Sequence, residues 1–272
     1  MNNIGEFITR KRKELGYTQQ NIAESLNIST QAVSKWESGK SLPDIQLLTS
    51  IADLLNTSVD TILGYTHLPF THYEEKYSDE KYYWGIVPNK LCYEIMRLCP
   101  PVKPYRVLDI GCGEGKDAVF LAKNGYEVTA FDIAEAGLDK AKKLAEHHKV
   151  KVDFFKADIN EYTPNTPFDI IYSSGVFHYI SANRRNGFFE ALKKHTTTNG
   201  INVVNVFVTK PFINDAPDLE ETEKEVESWY SGDLSRYYHD WLFHKNEEII
   251  FDCSSGDIPH KHCMDVLIAE KI

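Results

Sequence analysis

VLDIGCGEGKDAVFLAKNGYEVTAFDIA, residues 107–134, reads as strand, turn, helix and second strand. A short run rich in branched residues ends in Asp109 and Ile110, three glycines follow at alternate positions (Gly111, Gly113, Gly115), a stretch of helical period comes next, and a second strand closes on Asp132. Such a unit builds a parallel sheet with helices on its faces. Glycine at the turn lets backbone approach a ligand where a Cβ would obstruct it. Two nucleotide fingerprints fail here. A dinucleotide turn needs glycine at the sixth position counted from Gly111, where Lys116 stands. A P-loop needs glycine five before Gly115, where Ile110 stands, and Ser or Thr after Lys116, where Asp117 stands. The turn suits a nucleoside without a pyrophosphate, because Asp132 can accept hydrogen bonds from both ribose hydroxyls. Asp109 and Asp158 place further carboxylates at carboxyl ends of strands, where open α/β sheets bind ligands.

Outward from this unit the alternation continues. Strands are expected at 106–110, 127–132, 151–158, 168–174 and 201–208, with helices to about Asn124, to His148 and over Arg184 to His195. Two late strands, about Leu242 to Cys253 and His262 to Glu270, form a closing hairpin. The expected fold is a doubly wound, seven-stranded, Rossmann-like α/β domain over residues 81–272, entered by a helix carrying Leu91, Ile95 and Leu98 on one face. Residues 67–80, with Pro69 and no sustained period, are expected to be a linker.

Upstream, residues 1–66 change period. Apolar residues from Ile4 to Leu63 recur at helical spacing, broken near Gly16, Asn27, Gly39 to Pro43 and Asn56. Five helices are expected, with Thr18, Ser29, Asp44 and Ser58 opening the second to fifth. Each is too short to stand alone, so they must share a core. Ala23, Val33 and Trp36 supply the small, branched and large residues of a helix-turn-helix crossing, and Asn27 the left-handed turn.

With 272 residues the chain has room for two domains of roughly 100 to 200 residues. The apolar residues come in short runs, none near the ~20 of a membrane span and none forming a signal-peptide core. A soluble cytoplasmic protein without membrane association is expected. Cys92, Cys99, Cys112, Cys253 and Cys263 form no CxxC pair, so neither a disulfide framework nor a metal site is expected. The net charge of −10 argues against a protein that coats polyanions. Residues 1–67 carry 6 Lys/Arg against 7 Asp/Glu, the remainder 24 against 33. The cluster Arg10 to Lys13 lies at the N-terminal end and the acidic segment Asp215 to Glu227, read as a solvated helix and lid edge, far from it. Any nucleic-acid contact is therefore expected in the first domain.

The stretch TQQNIAESLNISTQAVSKWESGK closely resembles the XRE (Cro/repressor-like) helix-turn-helix family over residues 4 to 64. That resemblance implies a third helix in the major groove of double-stranded DNA, with Thr30, Gln31, Ser34 and Lys35 meeting base edges or phosphates and Gln19, Arg10 and Lys40 meeting the backbone. It also implies a homodimer. A small helical bundle for protein contacts is the other reading of the same pattern.

YYWGIVP near Tyr83, the stretch from Val107, and GDLSRYYHDW around Arg236 resemble class I S-adenosylmethionine (SAM) dependent methyltransferases, and among them the TehB-like, tellurite-resistance group. The resemblance implies SAM as cofactor and S-adenosylhomocysteine as product. It places Gly111 and Gly113 at the amino-acid end of SAM, Asp132 at the ribose, Asp158 and Ile159 at the adenine and Ser173 on the cofactor wall. Asp109, Cys112 and Ile133 complete that set, and the acidic lining suits a sulfonium cation. Tyr83, Trp84, His178 and Arg236 would face a small-molecule methyl acceptor. His178 and Tyr238 are candidate proton acceptors, against structural roles; Arg236 is a candidate oxyanion clamp, against a surface salt bridge. SSGVFHYI follows strand four where DNA amino-methylating enzymes carry an acidic or Asn residue, two prolines and an aromatic, which argues against DNA as the acceptor. Two functions remain open: a DNA-binding regulator fused to a methyltransferase acting on a soft nucleophile such as a thiol or chalcogen oxyanion, and a non-catalytic regulator that senses SAM or another ligand.

Overall fold

A computed structural model describes residues 4–55, 57, 59–63, 72–213, 228–253 and 259–272. The chain divides into two compact units, residues 1–68 and 69–272.

In the first unit, α1 (Ile4–Glu14), α2 (Gln19–Ser25) and α3 (Thr30–Glu37) precede a 3₁₀ turn (Ile45–Leu47) that runs into α4 (Leu48–Leu54), and α5 (Val59–Leu63) follows. The caps explain the boundaries. Thr18 and Asn21 form a reciprocal capping box on α2, and Ser29 accepts from the Ala32 N–H on α3. Asp44 caps the 3₁₀ turn, through the Gln46 N–H at 2.9 Å, and not α4 itself. The expected cap at Ser58 and the break at Asn56 lie outside the described residues. Asn27 sits at φ +52°, and Ala23, Val33 and Trp36 are all buried in one cluster with Ile8, Ile22, Ile51 and Leu55. Helices this short hold their shape through this shared core.

In the second unit, α6 (His72–Ser78) and α7 (Lys90–Leu98) lead into β1 (Arg106–Ile110), α8 (Lys116–Lys123), β2 (Glu127–Asp132), α9 (Glu135–His148), β3 (Val152–Lys156) and β4 (Phe168–Ser173). A 3₁₀ turn (Phe177–Tyr179), α10 (Ala182–His195), β5 (Thr196–Phe207), α11 (Asp233–Arg236), β6 (Leu242–Cys253) and β7 (His260–Glu270) complete it. The seven strands lie in the order β3-β2-β1-β4-β5-β7-β6. Those from β1 to β5 pair in parallel, and β7 runs antiparallel between β5 and β6. Apolar side chains fill both faces, Leu108, Ile171, Phe189 and Leu267 on one and Val107, Ile170, Leu91 and Ile268 on the other.

Two expectations change. Residues 72–78 of the expected linker form α6, whose Glu74 carboxylate accepts the Glu135 and Ala136 N–H groups of α9 at 2.8 and 3.0 Å. Those donors have no partner inside α9, which explains why a polar, aperiodic segment docks as a helix. The remaining linker residues up to 71, like the acidic segment at 215–227, lie outside the described residues. Strand β5 begins at Thr196, five residues before the expected start.

Candidate functional site

Because β1 pairs with β2 on one side and β4 on the other, the chain reverses its winding beside β1. Such a switch point leaves a crevice outside the carboxyl ends of the strands. Here it holds a cavity of about 650 Å³ lined from the turn after β1, the end of β2, the loop after β3, and residues 174–176 after β4. The size falls within the roughly 300 to 1,000 Å³ of small-molecule pockets.

The glycine turn forms its floor. Gly111 (φ +72°) and Gly113 (φ +52°) occupy left-handed backbone, and a Cβ on Gly111 would lie 2.3 Å from Val176 Cγ2. Both the conformation and the space exclude a side chain. Asp132, at the end of β2, reaches back over this turn: its Oδ2 accepts the Gly113 N–H at 2.8 Å and its Oδ1 the Ala134 N–H at 2.9 Å. A carboxylate offers about four lone-pair sites, so each oxygen retains acceptor capacity toward the cavity it lines. Burial raises the Asp132 pKa, and the Ala134 and Gly113 donors oppose that rise. Asp109 is more deeply set. Its Oδ2 is buried without a hydrogen-bond partner, and burial, then the Asp117 charge, hold its pKa well above the usual carboxylate range. An orphaned buried acceptor in a ligand-sized cavity calls for a donor from outside the protein, best a cationic one.

Of the expected cofactor residues, Asp109, Gly111, Cys112, Gly113, Asp132, Ile133, Asp158 and Ile159 line this one cavity. Burial, then Asp109, raises the Cys112 thiol far from its thiolate form. Ser173 does not line it: its Oγ donates to the Ile110 carbonyl at 2.9 Å, and Ser174 takes the wall position.

The candidates for chemistry separate. Trp84 lines the cavity, its indole N–H donating to Tyr77 Oη at 3.1 Å, whereas Tyr83 packs against the Trp84 ring and stays out of the lining. His178, in the 3₁₀ turn after β4, is wedged between Tyr179 and Phe207, with ring centroids 4.0 and 4.9 Å away. Burial, then His262, lowers its pKa to about 3, too low for a proton acceptor working near neutrality. Tyr238 is fully buried, accepts from Asn202 Nδ2 at 3.0 Å, and has its pKa raised by that burial, as for a structural hydroxyl. Arg236 has an 82% exposed side chain 3.4 Å from Asp233, so the surface salt bridge describes it and the oxyanion clamp does not.

Sequence reasoning missed the rest of the lining. Tyr73 and Tyr77 come from α6; Asn89, Lys116, Asp117 and Tyr172 form a polar flank; Phe207, Phe251 and Met264 make an apolar end. Asp117 ties the flank together, accepting from Tyr172 Oη at 2.8 Å, the Asn89 N–H at 2.7 Å and Lys116 Nζ at 2.9 Å. The tyrosine spacing in HYEEKYS was the available signal, since residues four apart share a helix face.

On the first unit, Gln31, Ser34, Lys35 and Lys40 are exposed on and just after α3. Thr30 Oγ1 donates to Gln20 Oε1 at 2.7 Å. Gln19 donates to Glu37 Oε2 at 2.8 Å, and Arg12 makes a two-pronged pair with the same carboxylate at 2.6 and 3.0 Å. The Gln19 amide is thus engaged inside the unit. Arg10 is exposed, 3.8 Å from Glu14.

Comparison with known proteins follows these divisions. The family model for tellurite resistance protein TehB matches residues 70–258, and a helix-turn-helix model matches residues 8–62. Hemagglutinin 1 of Eikenella corrodens is 31% identical over 150 residues, covering 55% of this chain and 48% of that protein. A probable SAM-dependent methyltransferase TehB of Haemophilus influenzae is 28% identical over 142 residues, covering 52% and 48%. The chain thus spans about half the length of the curated relatives it matches. The crystal structure of TehB from Haemophilus influenzae superposes with a TM-score of 0.61 at 22% identity over 74% of this chain and 67% of that one, a likeness of fold.

Proposed function

This chain belongs to the TehB family, whose model spans residues 70–258, and from that premise we propose that it is a DNA-binding regulator fused to a SAM-dependent methyltransferase acting on a small molecule. The observation that carries the reading is the pairing, in one cavity, of the orphaned Asp109 carboxylate with Asp132 across a glycine floor.

Bound there, SAM supplies a methyl group on a sulfonium centre. The residues around it bind, align and exclude water. Asp109 meets the ligand's ammonium group, the Gly111 to Gly113 backbone takes its amino-acid end, Asp132 accepts from the ribose, and Ile133, Asp158 and Ile159 hold the base. The apolar end at Phe207, Phe251 and Met264 receives the acceptor. Such walls favour a soft, weakly hydrated nucleophile such as a thiol over a highly hydrated one such as a chalcogen oxyanion. With His178 and Tyr238 away from the lining, a nucleophile that ionises in water fits better than one needing a protein base.

Residues 1–66 read double-stranded DNA as a homodimer, with Gln31 and Ser34 toward the groove and Lys35, Arg10 and Lys40 toward phosphates. A second reading has support from α6: its tyrosines line the cavity, so ligand occupancy could be sensed without turnover. The experiment is methyl transfer by the purified protein to a panel of thiols and oxyanions. S-adenosylhomocysteine release dependent on an acceptor supports the enzyme; SAM binding with no product from any member supports the sensor; no SAM binding removes the enzyme and leaves only a sensor of another ligand.

A further inference from the structure

The far end of the hairpin carries a cluster that the reaction does not use. In the β6–β7 register Cys253 stands opposite His260 and Phe251 opposite His262. Side chains two residues apart on a strand share a face, so Cys253, His260 and His262 project from the same side of the sheet. One potential donor atom from each lies within 4.8 Å of the others, and the two imidazole Nε2 atoms are 2.9 Å apart. All three residues are partly buried.

We propose that Cys253, His260 and His262 bind a borderline-soft divalent cation of the zinc class. One thiolate and two imidazoles are a donor set for such an ion, and three protein ligands leave the fourth tetrahedral position for water or an exogenous ligand. Bond lengths of about 2.0 Å to nitrogen and 2.3 Å to sulfur put tetrahedral donors about 3.3 to 3.5 Å apart. The 2.9 Å between the imidazole nitrogens and the 4.8 Å limit on the other separations lie on either side of that spacing, so small side-chain rotations would close the site. Register supplies the pre-organisation: paired strands hold the three residues before any ion arrives, which cuts the ordering cost of binding. The sequence spacing C-x6-H-x-H is not a standard zinc pattern; the hairpin brings the ligands together.

The ion would also brace the cavity. The His262 ring packs on Phe207 and Phe251, with centroids 4.9 and 5.8 Å away, and both rings line the apolar end. Fixing His262 fixes the wall against which an acceptor would rest. The proposal stands whether or not the cavity transfers methyl groups.

The test is titration of the reduced, full-length protein with Co²⁺, read by absorption, followed by displacement with Zn²⁺. The expected result is a thiolate-to-cobalt charge-transfer band saturating at one equivalent and bleached by one equivalent of zinc, with a higher melting temperature in zinc. Cys253→Ser abolishes the band, and His262→Gln weakens cobalt binding at least tenfold, both with unchanged far-UV circular dichroism. Cys263→Ser, on the opposite face of β7, keeps band and stoichiometry. Absence of the band in the wild type, its survival in Cys253→Ser, or its loss in Cys263→Ser overturns the proposal. These readouts need no SAM, so they are separate from the test of methyl transfer.

Discussion

At the scale of single residues, the ligand site depends on Asp132. Replacing it by alanine removes the acceptor of the Gly113 and Ala134 N–H groups and, on the proposed function, that of the ribose. We expect Asp132→Ala to weaken SAM binding by roughly 1 to 3 kcal/mol, as for other lost charged hydrogen bonds. Isothermal calorimetry against the wild type measures this, and unchanged affinity rules the ribose role out. His178 gives a pH signature. Its folded pKa, about 3, lies below that of the unfolded chain, so the unfolded chain takes up the proton first. Stability is complete above about pH 6.5 and falls as acid carries the solution down toward the folded value. The loss reaches at most about 1.4 kcal/mol per pH unit. Urea midpoints from pH 7 to pH 5 should slope for the wild type and flatten for His178→Gln. Asp109 and Asp132 were legible as cavity residues because one stands next to the end of β1 before the glycine turn and the other ends β2. His178, Tyr238 and Arg236 were not, because proximity in sequence to a site says nothing about burial or partners, and those decide whether a polar group is reactive or structural.

Among elements, α6 and α3 carry the sharpest expectations. Glu74 caps α9 from outside, and α6 brings Tyr73 and Tyr77 to the cavity. Glu74→Ala should cost about 1 kcal/mol of stability, typical of a lost N-terminal cap, and should lower SAM affinity further than stability alone requires. Thermal melts with and without ligand separate the two effects; equal shifts in both would show that α6 has no part in binding. For α3, Lys35 is exposed and its hydrocarbon stem leaves it free to reach a phosphate. In DNA titrations over a salt series, Lys35→Ala should reduce the slope of log affinity against log salt by about one, and an unchanged slope would take Lys35 off the DNA. Helices α2 and α3 were legible from their capping residues Thr18 and Ser29. Helix α6 was not, since five of its seven residues are charged or polar and what holds it is the open end of another helix, a tertiary partner that local period cannot announce.

For the whole molecule, the open question is whether DNA and SAM affect one another. Helix α6 starts nine residues after α5 ends, so an element that lines the cavity is also the first described one after the helix-turn-helix unit. If α6 orders on SAM, DNA affinity changes with SAM, and by thermodynamic necessity SAM affinity changes with DNA by the same factor. Paired titrations, each ligand measured with the other saturating, should return equal factors different from one. A factor of one in both directions means independent modules. The division into two units was legible because period and composition change between residues 64 and 104; the cysteine-histidine cluster was not, because pairing of β6 with β7 assembles it. That same strand order has a consequence for synthesis. Strand β7 is the last of the seven made, yet it lies inside the sheet with β5 and β6 on either side. On the ribosome the helix-turn-helix unit can close as soon as it emerges, while the sheet behind it must wait with an open seam beside β5. A premature stop before His260 would therefore release a folded helix-turn-helix unit joined to an unfinished, sticky half, and such truncated chains should depend on chaperones far more than full-length ones.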